Sequence, residues 1–305
     1  MNAAGNGSSS SKCAECTELF YQNFGNCLCL ENGSIRLIVT ADVGPRIISF
    51  STRNGKNILF EDVDREFCEL NKGYGTWYAY GGHRLWTAPE LMPETYCPDN
   101  GKVDWSFASG VLTLTPKPTP FGKQFCIQIE MGEGNSVRIV NKITNVSDQT
   151  QHFAPWSITS LSGGGTEIIP MCRAKTGFLP NRVMSLWSYT DIQDARFRLT
   201  NTYAALRHDV SADRPFKVGF NVADGYAVYF ANGQMFRKSV APHSDIRYPD
   251  FCCNFETYTN QHFIECETLG EERDYAPGES AVIEETWEIT ETAVTPEQFI
   301  AALPE

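Results

Sequence analysis

The chain has 305 residues, with 25 basic and 37 acidic side chains and a formal net charge of −12. That balance repels nucleic acid and anionic membranes at long range, and no run of roughly 18 apolar residues is present to span a bilayer. Apolar residues are 42% and charged residues 20% of the total, enough to bury a full core at this size without disulfide or metal staples.

Residues 1–11 are rich in Gly, Ser and Asn and lack an apolar signal core, so residues 1–18 are expected to form a disordered tail and the chain to be cytoplasmic. The 11 cysteines then argue against a disulfide framework. Cys13, Cys16, Cys27 and Cys29 are close enough in sequence to suggest a zinc cluster, but the spacing is not a common one. Cys27 and Cys29 fall in a strand-like run where Cys serves as a small core residue, and no metal is expected. Cys252 and Cys253 would face opposite sides of a strand.

Most of the chain reads as short strands separated by turn residues. Residues 34–40 and 46–51 flank Gly44-Pro45. Residues 124–130 alternate Phe125, Ile127 and Ile129 with polar neighbours, and a strand starting at Val137 returns. Residues 217–222 and 226–230 around Asp224-Gly225 predict a hairpin. Pro155 predicts a bend or an edge strand for residues 151–159. Residues 263–268 and 281–289 complete the set. Helix is scarce: Thr190 with Gln193 suggests a capping box for residues 191–198, and Thr295-Pro296 starts a terminal helix. With no repeat or linker, residues 19–305 form one all-β domain, an antiparallel sandwich with a few short helices.

Four stretches carry residues suited to chemistry. Residues 80–90 hold Gly81, Gly82, His83, Arg84, Trp86 and Glu90: a titratable ring, a guanidinium fork, a flat apolar face and a carboxylate. That mixture suits a polyhydroxylated ligand such as a sugar. Glu265 and Glu267 share one face of a strand, where mutual repulsion in a cleft would raise one pKa toward neutrality. Glu256 lies on a neighbouring run. Trp156 offers a second stacking ring, and Arg46 sits just inside a strand. Arg46, Arg84 and Arg173 would tolerate an anionic substituent on the ligand. Phosphate loops, dinucleotide fingerprints and hydrolase elbows are absent, so no cofactor is expected.

The ordered set Val43-Gly44-Pro45-Arg46, Gly81-Gly82-His83-Arg84-Leu85-Trp86, Ala154-Pro155-Trp156-Ser157 and Glu265-Cys266-Glu267-Thr268 resembles a bacterial branch of the galactose mutarotase-like superfamily. The resemblance implies an antiparallel β supersandwich with a sugar-sized cleft. It also implies aldose 1-epimerase chemistry, in which a His protonates the ring oxygen while a Glu takes the anomeric proton. Cys266-Glu267-Thr268 resembles the segment carrying the epimerase base, so Glu267 is the expected base, with Glu265 in reserve. His83 is the expected acid, because Trp156 falls where the family's acid His should be. Arg84, Trp86, Glu90, Arg46, Trp156, Glu265 and Glu256 are the expected substrate contacts.

Three functions follow: a sugar-modifying isomerase, a non-catalytic carbohydrate-binding protein with the same cleft, and a zinc-stapled interaction protein built on the N-terminal cysteines. The expected partner in the first two is a small carbohydrate.

Overall fold

The structure is a computed structural model that describes residues 14–304. Among these, two large antiparallel sheets of eleven and ten strands stack face to face, and a two-stranded ribbon, Cys68–Asn71 with Gly75–Tyr78, stands apart from both. The two helices are short, Pro249–Cys252 and Pro296–Ala301. Leu, Ile, Val and Phe side chains from the inward faces of both sheets form one continuous core, as period-two alternation requires in a sandwich. Cys13 lies outside the described residues. Cys27 and Cys29 are buried in Asn26–Glu31 against Phe24, Ile38 and Tyr80, packed as small apolar residues.

The centre of the first sheet is Gln151–Ser162, twelve residues long. It pairs with His83–Ala88 on one side and with Phe263–Leu269 on the other. Beyond these come Phe255–Thr259 and Phe216–Phe220. A central strand through Pro155 differs from the edge position predicted. The neighbour on one side changes from Arg273–Tyr275, opposite residues 151–153, to Phe263–Leu269, opposite residues 156–162. Pro155 sits in that gap, where its carbonyl accepts from Gly270. A residue's N–H and C=O point to the same side, so the missing proline donor falls where no ladder needs it.

Other expectations need correction. Residues 15–18 are not tail: Glu15–Phe20 pairs in register with Asn26–Glu31. Phe216–Phe220 and Tyr226–Ala231 do not pair with each other. They belong to different sheets, so Asp224-Gly225 lies in a crossover. The hairpin is Tyr226–Ala231 with Gln234–Val240, closed by Asn232 and Gly233 at positive φ of 54° and 71°, the two-residue turn whose twist matches its strands. Residues 191–196 form turns instead of a helix, and Phe197–Leu199 is a strand paired with Tyr203–Arg207. The Thr190 hydroxyl donates to the Lys217 carbonyl, and Asp191 accepts from the Gln193 amide. Cys252 lies in a left-handed turn, not a strand. The terminal helix forms as predicted from Thr295-Pro296, and it carries a capping box, Thr295 with Gln298, where the sequence suggested one at Thr190 instead.

A layer of polar groups joins the sheets at their centre. Lys238 and Glu285, both fully buried on the second sheet, are 3.2 Å apart. Lys238 also donates to Thr159 Oγ1 (3.0 Å) and to the carbonyls of Ser157 and Cys266 on the first sheet. Glu285 accepts from Ser157, Thr268 and the Trp287 indole. A fully satisfied pair of this kind is tolerated, but removing either partner strands a charge.

Glu167, from the second sheet, is fully buried nearby. It accepts from Thr257, and its Oε1 has no partner. Burial is the main cause that pushes its carboxyl up to about 7 from its ordinary 4.5, with the charge of Glu267 adding to it. A raised carboxyl pKa means that the folded state favours the protonated acid. Its contribution is therefore intact below about pH 4.5 and lost as pH rises through about 7. Glu167→Gln is expected to raise stability at pH 8 by up to roughly 3 kcal/mol and to change it little at pH 4. Urea unfolding at the two pH values checks this, and an equal effect at both would contradict the assignment.

Candidate functional site

The outward face of the first sheet carries a cleft of about 570 Å³ that continues into an inner compartment of about 370 Å³. Strand alternation decides what enters it. On His83–Ala88, Arg84 and Trp86 point outward. Trp156 and Ser160 do so on the central strand, and Glu265 on Phe263–Leu269. Tyr258, Glu256 and Lys217 come from the next two strands. The ribbon supplies Trp77 and Glu69, and the segment around residues 187–189 supplies Trp187 and Tyr189.

Aromatic rings dominate the walls. Trp86 packs at 5.1–5.5 Å from Trp77, Tyr96 and Trp156, all tilted or edge-on. The Arg84 guanidinium lies 4.3 Å above the Trp86 ring and pairs with Glu265 at 3.0 Å. Ser160 donates to the same Glu265 oxygen at 2.8 Å. Arg84 Nε and Trp77 Nε1 are buried without partners, donors held in place with nothing to receive them.

The inner end holds one ammonium between two carboxylates. Lys217 Nζ is 2.8 Å from Glu256 and 3.0 Å from Glu267, and it lies over the rings of Trp156 and Trp187 at 4.5 and 4.7 Å. The Trp156 indole N–H donates to Glu267 at 2.7 Å. Burial disfavours the Lys217 charge, but the two carboxylates outweigh it and its pKa rises. Burial raises both carboxyls against the opposing pull of Lys217, Glu256 well above its ordinary value. One ammonium does not neutralise two carboxylates, so the pair holds a proton to higher pH than an ordinary carboxyl does. Each carboxyl has a buried oxygen without a partner.

Several expected site residues lie elsewhere. His83 is fully buried on the opposite face of its strand, edge-on to Trp287 at 4.9 Å. Thr159 Oγ1 accepts from Lys238, so its hydroxyl donates to His83 Nδ1, and Nε2–H donates to Asn141 Oδ1. Burial, the largest cause, lowers its pKa to about 4, so the ring is neutral and cannot serve as the acid in this cleft. Arg46 is held by Asp99 at 2.5 Å and lines a separate pocket with Pro45 and Pro98. Glu267 is fully buried and reaches the cleft only through Lys217 and Trp156, which cover it. Arg173 pairs with Asp224. Exposed His152 pairs with Asp274. Glu90 sits at the rim, accepting from Tyr96 at 2.5 Å.

Gly81 and Gly82 bring backbone to backbone, not to a ligand. A Cβ on either would meet the Phe60 or Ile47 carbonyl oxygen at 2.3 or 2.0 Å. Beside the inner compartment Asp250, Phe251 and Cys252 are all left-handed, with φ of 50°, 63° and 76°. Non-glycine residues rarely adopt this conformation, and such strain clusters at functional sites.

Lys217, Trp77, Trp187 and Tyr96 were not found from sequence. Lys217 left a signal: it is the charged position in the alternation with Phe216, Val218 and Phe220, on the face opposite those apolar residues. Trp187 and Trp77 lie on a loop and a ribbon whose position over the sheet has no local signature.

Neither a family model nor a curated protein matches the chain. Solved structures do. A galactose mutarotase-like protein from Clostridium acetobutylicum superposes with a TM-score of 0.57 at 12% identity, covering 92% of this chain and 99% of that one. A galactose mutarotase-like protein from Lactobacillus casei gives 0.54 at 12%, over 87% and 100%. A TPR-domain containing protein from Parabacteroides distasonis gives 0.62 at 13%, over 92% of this chain, which spans about half (49%) of that protein's length. At these identities the likeness establishes the fold, which is galactose mutarotase-like.

Lys217→Met tests the inner cluster. It leaves two buried carboxyls without their cation and should cost roughly 3–5 kcal/mol at pH 8. The loss should shrink as pH falls, because protonation neutralises both acids. A loss equal at pH 8 and pH 5 would mean that only packing was removed.

Proposed function

We propose that the outer-face cleft binds a carbohydrate. The observation that carries this is the ring box of Trp77, Trp86, Tyr96 and Trp156 around the Arg84–Glu265 pair, with unpartnered donors on Trp77 and Arg84. Flat rings match the apolar face of a pyranose, and a charged pair with spare hydrogen-bonding capacity matches its hydroxyls. The volume is of small-molecule size. The fold shared with mutarotase-like proteins agrees with a sugar ligand.

Binding without mutarotation is the reading the geometry supports best. Among the described residues no His lines the cleft, and Glu267 is covered by Lys217 and Trp156. One observation favours a second reading, that of a sugar-modifying enzyme. The Lys217–Glu256–Glu267 cluster places a coupled pair of carboxyls with raised proton affinity at the inner end, as acid–base chemistry requires. In that reading Glu256 takes the acid role expected of His83.

The surrounding tryptophans provide the assay. A neutral hexose or disaccharide should change intrinsic fluorescence saturably, and Trp86→Ala should weaken binding at least about tenfold. No saturable response to any sugar would overturn the proposal. NMR exchange of anomeric signals separates the two readings: acceleration that is lost in Glu256→Gln supports the enzyme, and none supports the binding protein.

A further inference from the structure

The inner compartment is more acidic than a site for an uncharged sugar needs. Glu90, Asp250 and Glu256 line it together with the rings of Tyr96, Trp156 and Trp187. Its cationic side chain, Lys217, is already shared between Glu256 and Glu267. Glu256 is 1% exposed, and its Oε1 is buried with no hydrogen-bond partner. The open cleft adds Glu66, Glu69 and Glu265, against Arg84, whose charge Glu265 already answers. The arginines that would have welcomed an anion are committed elsewhere, Arg46 to Asp99 and Arg173 to Asp224.

Resting on the carbohydrate reading above, we infer that the ligand is an amino sugar whose protonated amine enters the inner compartment. There an ammonium would meet negative charge on Asp250 and Glu90 and three aromatic faces, and it would draw the Glu256 carboxyl, whose Oε1 has no partner, into its ionised form. Carboxylates and π-faces together select a cation over a neutral isostere. A phosphorylated or uronic sugar would instead place its anion among unneutralised carboxylates, which disfavours it. The charge of the bound amine would also offset the imbalance that one lysine leaves between two buried carboxyls.

The test is a titration of the full chain at pH 7 with glucosamine, galactosamine, their N-acetyl forms, the parent hexoses, a uronate and a hexose 6-phosphate. An amino sugar should bind at least about tenfold tighter than its N-acetyl form and its parent hexose, with the anionic sugars weakest. The ratio of amino to neutral affinity should fall toward one in Glu256→Gln, whatever that change does to either affinity alone. If Glu256→Gln does not fold, Asp250→Asn, nearer the surface, should shrink the same ratio. Neutral hexoses binding as tightly as amino sugars would overturn the inference and leave the carbohydrate reading standing. Preference for an anionic sugar would overturn it as well. No binding by any sugar would remove both.

Discussion

The buried Lys238–Glu285 pair is the constraint around which the sandwich is arranged. Two hydrophobic faces alone slide and rotate against each other with little penalty, because apolar contact has no direction. A charged pair at the centre does have direction. Lys238 reaches across to the first sheet at Ser157, Thr159 and Cys266, and Glu285 to Ser157 and Thr268. Any slip between the sheets would strip these partners and leave ions in a medium that solvates them poorly. The register of the central strand against the second sheet is pinned as a result.

That pinning matters because the same strands present the cleft on their other side. Ser157 and Thr159 face the polar layer, while Trp156 and Ser160 face the cleft. His83 alternates with Arg84 in the same way, and Cys266 with Glu265 and Glu267. The cleft is thus the outer surface of a rigid three-strand unit whose inner surface is anchored. Its side chains are further locked by mutual contacts: rings edge-on to rings, Arg84 over Trp86, Lys217 between two acids. The unpartnered atoms on Trp77, Arg84 and Glu256 are held in place by these contacts.

Trp156 limits what such a cleft can do. An imidazole beside a Glu could pass protons near neutral pH, whereas an indole N–H only donates a hydrogen bond. Here that donor is spent on Glu267, and Lys217 takes the same oxygen. Glu267, the expected base, is drawn into an internal ion cluster, which leaves rings and the Glu256 carboxyl lining the cleft. The left-handed turn at Asp250–Cys252 brings one more carboxylate to the same end.

Much of the architecture was legible in sequence because strand formation is a local matter. Alternation at residues 34–40 and 124–130, the helix start at Thr295-Pro296 and the shared face of Glu265 and Glu267 all follow from neighbours a few residues apart. Where pairing is non-local the reading failed. Phe216–Phe220 and Tyr226–Ala231 have the pattern and turn of a hairpin, yet they enter different sheets, because nothing in either strand encodes its partner. The side of the sheet was equally hidden at the site. Every residue of His83–Ala88 is buried, so no polar face distinguishes ligand side from core. The most site-like stretch could be recognised, but not that His83 would turn inward and Arg84 outward. Lys217 meets Glu256 and Glu267 from 39 and 50 residues away, a meeting set by strand order alone. Period-two alternation therefore determined which residues travel together. The tertiary stacking of two sheets decided which of those sets would be buried between the sheets and which would line the cleft.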